Sequence, residues 1–234
     1  MSVPPIPILY QDERYVVIDK PAGILVHKNQ RFPREIPILQ RLRNQLERYV
    51  WPVHRLDRQT SGCLIFALQQ DAIEEMAEAL RCGTKTYWAF VRGHFPHTTT
   101  VEIDTPIKIS KKRFAPAHSL VDCLGRSVEP RCSLLRVRPT TGRSHQVRRH
   151  VRDLHHPILH DGDHGDSRVN RWWKSEMGLN RLALHAAYID LIYRGKPLHI
   201  HSALPDDLYR IFHTMPWWKH AVEKEPLLAK RTAP

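Results

Sequence analysis

A carboxylate set between two guanidinium groups, His54-Arg55-Leu56-Asp57-Arg58, is followed at once by Gln59-Thr60-Ser61-Gly62 and then by the apolar run Cys63-Leu64-Ile65-Phe66-Ala67-Leu68. Thr60, Ser61 and Gly62 favour a turn through side-chain hydrogen bonding and free φ. The run behind them reads as a buried strand. Asp57 is therefore expected on a short loop leading into the core, a rigid place from which to present a carboxylate. With an unperturbed pKa of about 3.9 it is ionised roughly a thousand to one at pH 7, so it needs aim rather than activation. Taken alone, an Asp beside Thr-Ser-Gly is more often a turn cap.

A second group of chemically able side chains lies later in the chain. His145, His150, His155, His156, His160 and His164 run close to Asp161, Asp163 and Asp166, and a metal-dependent phosphohydrolase is conceivable from such a set. The H-E-x-x-H helix pattern is absent, however, and a basic, histidine-rich surface equally suits RNA. No metal is expected.

Short elements must position these groups. Strands are expected over 6–10 and 15–18 around a turn at 11–13, with the strand run resuming over 24–27 after Lys20-Pro21-Ala22-Gly23. Residues 30–37 read as a loop and 38–49 as a helix with one apolar face. A helix over 71–80, capped by Asp71, should follow the central strand, and 86–91 reads as another strand. The stretch 93–129 reads as loop, with Lys108, Lys111, Lys112 and Arg113 clustered in it, which suits a mobile basic arm over a polyanion and equally an ordinary solvated loop. No functional reading attaches to 115–131. Residues 132–137 are strand-like, 139–143 a turn, and 144–154 a helix with Val147, Val151 and Leu154 on one face and Arg148, Arg149 and Arg152 elsewhere. A long strand over 182–193, a turn, a strand over 198–201 and a short helix over 206–213 complete the chain. Many short strands with interspersed helices imply an α+β fold around a mostly antiparallel sheet.

The totals agree with a single globular domain. The chain has 234 residues, 41% of them hydrophobic, and 18 prolines that suit a loop-rich protein. Its 36 Lys and Arg against 24 Asp and Glu leave a formal charge of +12, which points to a polyanionic partner and salt-sensitive binding. Cys63, Cys82, Cys123 and Cys132 form no Cys-x-x-Cys pair, and residues 1–5 carry no apolar signal. Reduced thiols in a cytoplasmic protein are therefore expected. No apolar run is long enough to span a membrane, and no obligate protein partner is inferred, so a monomer is expected.

Read as one string, His54-Arg55-Leu56-Asp57-Arg58-Gln59-Thr60-Ser61-Gly62 resembles the active-site signature of the RluA-type pseudouridine synthases. Three further segments resemble the family's motifs in the same order as they occur there. Val17 to His27 is similar to the N-terminal motif, Lys85-Thr86-Tyr87-Trp88-Ala89 to the tyrosine-bearing strand, and Thr141 to Arg148 to the third motif. Arg181-Leu182-Ala183-Leu184-His185-Ala186 is similar to the apolar strand lining the uracil pocket. The resemblance implies a pseudouridine-synthase-type fold with a mixed, mostly antiparallel central sheet flanked by helices and loops. It implies isomerisation of uridine in RNA without a cofactor. Asp57 becomes the catalytic carboxylate, Arg148 the guanidinium that pairs with it, and Tyr87 the active-site tyrosine, which stacks on uracil and helps remove the C5 proton. Arg55 becomes the residue that enters the RNA stack, and His54, Arg143 and Leu184 become substrate contacts. Read only as residues, Arg148 could instead meet a phosphate, Tyr87 could be a core aromatic, and Arg55 and Arg58 could form surface salt bridges.

The run His164-Gly165-Asp166-Ser167-Arg168-Val169-Asn170-Arg171 resembles the branch of the family that modifies uridine 65 of tRNA. It implies that Arg168, Asn170 and Arg171 position the T-arm, with Trp172 and Trp173 either stacking or packing in the core. The early first strand leaves no room for an S4-like RNA-binding domain, which also favours tRNA. Ribosomal RNA, or several RNAs served by one enzyme, is the competing expectation. A catalytically silent RNA-binding module is disfavoured, because a mere binder has no use for an aimed carboxylate.

Overall fold

The computed structural model describes residues 4–229. Along the chain run β1 (Ile8–Gln11), β2 (Tyr15–Lys20), α1 (Ile38–Leu46), β3 (Trp51–Pro52), β4 (Ser61–Ala67), α2 (Ile73–Cys82), β5 (Thr84–Arg92), β6 (Val101–Ile103), β7 (Ile107–Lys108), β8 (Phe114–Ala115), β9 (Ser119–Val128) and β10 (Arg131–Pro139). Then follow α3 (Gln146–Asp153), α4 (Ser167–Met177), β11 (Leu184–Tyr193), β12 (Lys196–His201), α5 (Asp206–Phe212) and α6 (Trp218–Lys224). The class is α+β. The described residues divide into two compact units, 4–84 with 186–202 and 85–185 with 203–229.

In the first unit the strand order is β1-β2-β4-β11-β12, with β3 also beside β4. Every residue of β4 is buried, which is why its sequence is a continuous apolar run rather than an alternating one. Met76 and Leu80 of α2 pack with Ile65, Ile189 and Leu191 in one core cluster. Asp71 does not cap this helix. It lies inside a 3-10 turn over Gln70–Ala72 that leads into α2, and its carboxylate lies 3.6 Å from Arg14. Nor does Ile24–His27 form a strand. The carbonyls of Leu25 and Val26 accept the N–H groups of Ile38 and Leu39, donors at the start of α1 that have no partner within the helix.

The second unit holds β5-β10-β9-β6 and the separate β7–β8 hairpin. Phe90 of β5 stacks on Phe212 of α5, and Trp173 and Trp217 lie against Phe212. Two expectations need correction here. The stretch 93–129 is not mainly loop, because β9 runs for ten residues. A register shift opposite Leu134/Leu135 breaks the polar–apolar alternation by which a half-buried strand is recognised. The basic segment 108–113 connects the two strands of a hairpin, and the Lys108 carbonyl accepts from Arg149 Nη1 at 2.9 Å. The helix α4 was also not expected. Asp166 caps it by accepting the N–H groups of Arg168 and Val169, and Gly178 ends it at φ 71°.

Candidate active site

In the first unit, Asp57 stands just ahead of β4 on a loop whose backbone is fixed from several sides. Thr60 N–H donates to the Asp57 carbonyl at 3.1 Å, closing the turn. Beneath it lies Lys20, fully buried at the end of β2. Its ammonium donates to the carbonyls of Pro21, Arg58 and Thr60 at 2.9, 3.2 and 2.8 Å. A buried ammonium needs such partners, because desolvating it without them is costly. His54 Nε2 accepts the Ile65 N–H at 3.1 Å, which places the imidazole proton on Nδ1. Gly62 has φ 112°, and a Cβ there would lie 2.1 Å from the Ala186 carbonyl oxygen. Only glycine meets both conditions. Arg58 forms a two-point pair with Glu35 at 3.1 and 2.6 Å above the Phe32 ring. The ordinary salt-bridge reading therefore holds for Arg58. Arg55 is exposed and forms no ion pair among the described residues.

In the second unit, Tyr87 is half-buried on β5 opposite Val137 of β10. Arg148 is buried in the first turn of α3. Its Nε and Nη2 donate to Asp161 Oδ2 and Oδ1 at 2.8 and 2.7 Å, and Nη2 also reaches Asp163 Oδ2 at 2.7 Å. This planar fork defines the guanidinium orientation. Asp161 is itself immobilised: Oδ1 accepts the N–H groups of Asp163 and His164, while its carbonyl accepts from Asn170 Nδ2 and from the Gly165 N–H. Burial pushes the Asp161 carboxyl upward, but Arg148 and the two backbone N–H groups outweigh it and hold the carboxyl below the usual range. The Asp163 carboxyl is also held low, chiefly by its hydrogen bond to Arg148.

The remaining expected contacts fall into two kinds. Leu184 is buried, and its carbonyl accepts from Arg181 Nη2 at 3.0 Å. Asn170 is committed at both ends, with Oδ1 accepting the His160 N–H and Nδ2 donating to Asp161. Arg143, Arg168 and Arg171 are exposed, as is Trp172, whereas Trp173 is buried. His145 and His164 meet at 3.1 Å between Nδ1 and Nε2. Among the described residues no group of three or more His, Cys, Asp and Glu is arranged to hold a metal ion.

Lys20 and Asp161 are the two site-forming residues that sequence reasoning missed. In the sequence Lys20 lies inside the N-terminal motif without a role, and Asp161 reads only as a candidate metal ligand. The available signal for Asp161 was its place one residue beyond the apolar Ile158-Leu159 pair, where an unpaired carboxylate would be costly.

This fold is shared with a known class. The solved structure of Human RNA Pseudouridylate Synthase Domain Containing 4 matches with a TM-score of 0.69 over 95% of this chain and 92% of that one, at 23% identity. The sequence profile described as RNA pseudouridylate synthase matches residues 14–153, a span containing Asp57, Tyr87 and Arg148, and the chain belongs to that family. A Pectobacterium carotovorum protein named tRNA pseudouridine synthase C is 36% identical over 83% of this chain, which spans only 58% of that protein's length. A Vibrio parahaemolyticus protein of the same name is 32% identical over 92% of this chain and 97% of its own length.

Proposed function

We propose that this chain isomerises uridine 65 of tRNA to pseudouridine, with Asp57 as the catalytic carboxylate and both units forming a single catalytic domain. The observation that carries the choice of RNA is the similarity to relatives named for tRNA, one of them matched along 97% of its length. The reaction breaks the N1–C1′ bond, turns the freed uracil and forms a C5–C1′ bond. C5 loses a proton and N1 gains one, so no net oxidation or group transfer occurs. A fixed carboxylate suits the electron-poor sugar carbon, which it stabilises or attacks as glycosidase carboxylates do.

In this reading Arg148 aims Asp57, and the Asp161 fork supports the arrangement by fixing the guanidinium plane. Tyr87 stacks on the uracil and assists removal of the C5 proton, while Leu184 lines the base pocket. Extruding the nucleotide costs a few kcal/mol. Arg55, exposed beside Asp57, offsets part of that by entering the vacated stack, since a guanidinium can lie against bases and meet phosphate at once. His54 holds the loop from which both act. Arg143, Arg168 and Arg171 meet the RNA backbone, and Asn170 contributes by shaping the 160–165 loop. The enzyme acts as a monomer in the cytoplasm.

Site-resolved pseudouridine mapping of total RNA, with and without the protein, tests the target. Loss of the modification at position 65 of tRNA is expected. Loss of a single ribosomal site with tRNA unchanged would overturn the choice of RNA. Asp57→Asn should yield no product, and undiminished product would overturn the carboxylate mechanism.

A further inference from the structure

Where α3 ends, the second unit opens into a cavity of about 640 Å³ lined by Arg92, Arg131, Arg152, His94, His155 and His156, among others. None of these carries a role in the isomerisation. Arg92 pairs with Asp166 at 3.1 Å, and Arg152 pairs with Asp153. Arg131 is exposed and forms no ion pair among the described residues. Three guanidinium groups thus face two carboxylates, which leaves the cleft cationic. The back wall is rigid. His156 Nδ1 donates to the Arg92 carbonyl at 2.8 Å, the Gly93 N–H donates to the Arg131 carbonyl at 3.0 Å, and a Cβ at Gly93 would lie only 3.0 Å from His156 Nδ1.

Arg131 of the cleft shares a face with Tyr87. Arg131, Ser133, Leu135 and Val137 alternate onto one side of β10, and Val137 is the register partner of Tyr87. The helix α3 crosses that same face, with Gln146 Nε2 and His150 Nδ1 both meeting Ser119 Oγ, and Ser119 opposes Pro139. Along β10, six residues separate the level of Tyr87 from Arg131, on the order of 20 Å at about 3.3 Å per residue. At about 3.4 Å of rise per nucleotide, that is roughly six base steps along one strand.

We propose that this cleft is a second docking point for the RNA, where phosphates of the backbone about six steps from the reacting uridine meet Arg131 and Arg152. The inference rests on the RNA reading given above but not on which RNA is modified. Two features favour a phosphodiester chain over a small captured anion. The guanidinium groups stand on side chains that are 48% exposed at Arg92 and 41% at Arg152, rather than converging in a closed site. They also continue the line of α3 that begins at Arg148, one helical turn (about 6 Å) before Arg152.

The test uses the full chain and whichever RNA the wild-type protein is found to modify. Binding is measured across salt concentrations for wild type, Arg131→Gln and Arg131→Lys. Arg131→Gln should weaken binding several-fold and reduce the slope of log K against log salt by about 0.7 to 0.9, the share of one phosphate contact. The loss should enter through KM rather than kcat, and Lys should restore the slope because it keeps the charge. An unchanged slope in Arg131→Gln would refute the proposal, as would a fall in kcat with unaltered affinity. Weakened binding of inorganic tripolyphosphate together with an unaltered RNA slope would also refute it, by identifying a small-anion site. Failure of the tRNA reading shows separately, as the absence of tRNA product from the wild-type protein.

Discussion

Asp161→Asn removes one negative charge from beneath Arg148 while nearly conserving shape. In the native site, Asp161 takes two guanidinium N–H groups at 2.8 and 2.7 Å and two backbone N–H groups at 2.9 and 3.0 Å. An amide must turn either its oxygen or its NH2 toward each of these, and an NH2 facing a guanidinium or a backbone N–H meets another donor. Breaking a buried ion pair by removing one partner costs about 3–5 kcal/mol. The Asp163 carboxylate stays near Arg148 but is 62% exposed, so solvent screens it and it offsets little. A loss near 3 kcal/mol corresponds to about 6–12 °C in Tm at roughly 2–4 °C per kcal/mol for a chain of this size. For activity, a guanidinium displaced by about 1 Å is expected to cost on the order of 100-fold. Single-turnover release of tritium from C5-labelled substrate RNA reads that step, because the C5 proton is lost as the C5–C1′ bond is completed. The pH dependence supplies a further check. The folded carboxyl is held below its unfolded value near 3.9, so its contribution is complete above that value and is lost as pH falls through the folded one. The gap in Tm between wild type and Asp161→Asn should therefore be wide at pH 7 and narrow below about pH 4. A variant with wild-type turnover and an unchanged Tm at pH 7 would refute the view that Asp161 orients Arg148.

Three other substitutions, with Gly142→Ala as a folding control, probe the same arrangement. Lys20→Met removes the donor to the Pro21 carbonyl and to two carbonyls of the Asp57 loop, those of Arg58 and Thr60. At about 1–3 kcal/mol for each group left unsatisfied, a loss of roughly 3 kcal/mol or more should appear in thermal melts together with slower single-turnover isomerisation. Gly62→Ala forces a Cβ to within 2.1 Å of a backbone carbonyl at φ 112° and should not accumulate as folded protein. Gly142→Ala, where a Cβ meets nothing within 4 Å, should fold, as circular dichroism of the two would show. Arg148→Met should retain most RNA affinity while turnover nearly vanishes, and wild-type rates would remove Arg148 from the mechanism.

Apolar pattern and turn chemistry made much of this molecule legible. The unbroken run of β4 and the Val147/Val151 stripe of α3 need only burial to explain them. Errors arose where a residue's partner is distant in sequence. Leu25 and Val26 have strand-like side chains, yet their carbonyls serve the start of α1. Asp71 has the chemistry of a helix cap but lies in a 3-10 turn beside Arg14. The ten residues of β9 include Asp122, Gly125 and Arg126, and a register shift hides the period. Lys20 and Asp161 share one physical reason for having been overlooked. A charged residue in a single sequence is read as solvated, since burying a charge is costly unless its partners are supplied. Here those partners are three carbonyls around the Asp57 loop and a guanidinium on α3. In each unit, a buried charge from another segment immobilises the side chain or loop assigned to the chemistry. Because desolvation makes each of these charges costly to leave unpaired, each tolerates only the geometry in which its partners are aligned. The same energetic penalty that hides Lys20 and Asp161 from pattern reading is what makes them effective at fixing the positions of the Asp57 backbone and the Arg148 guanidinium.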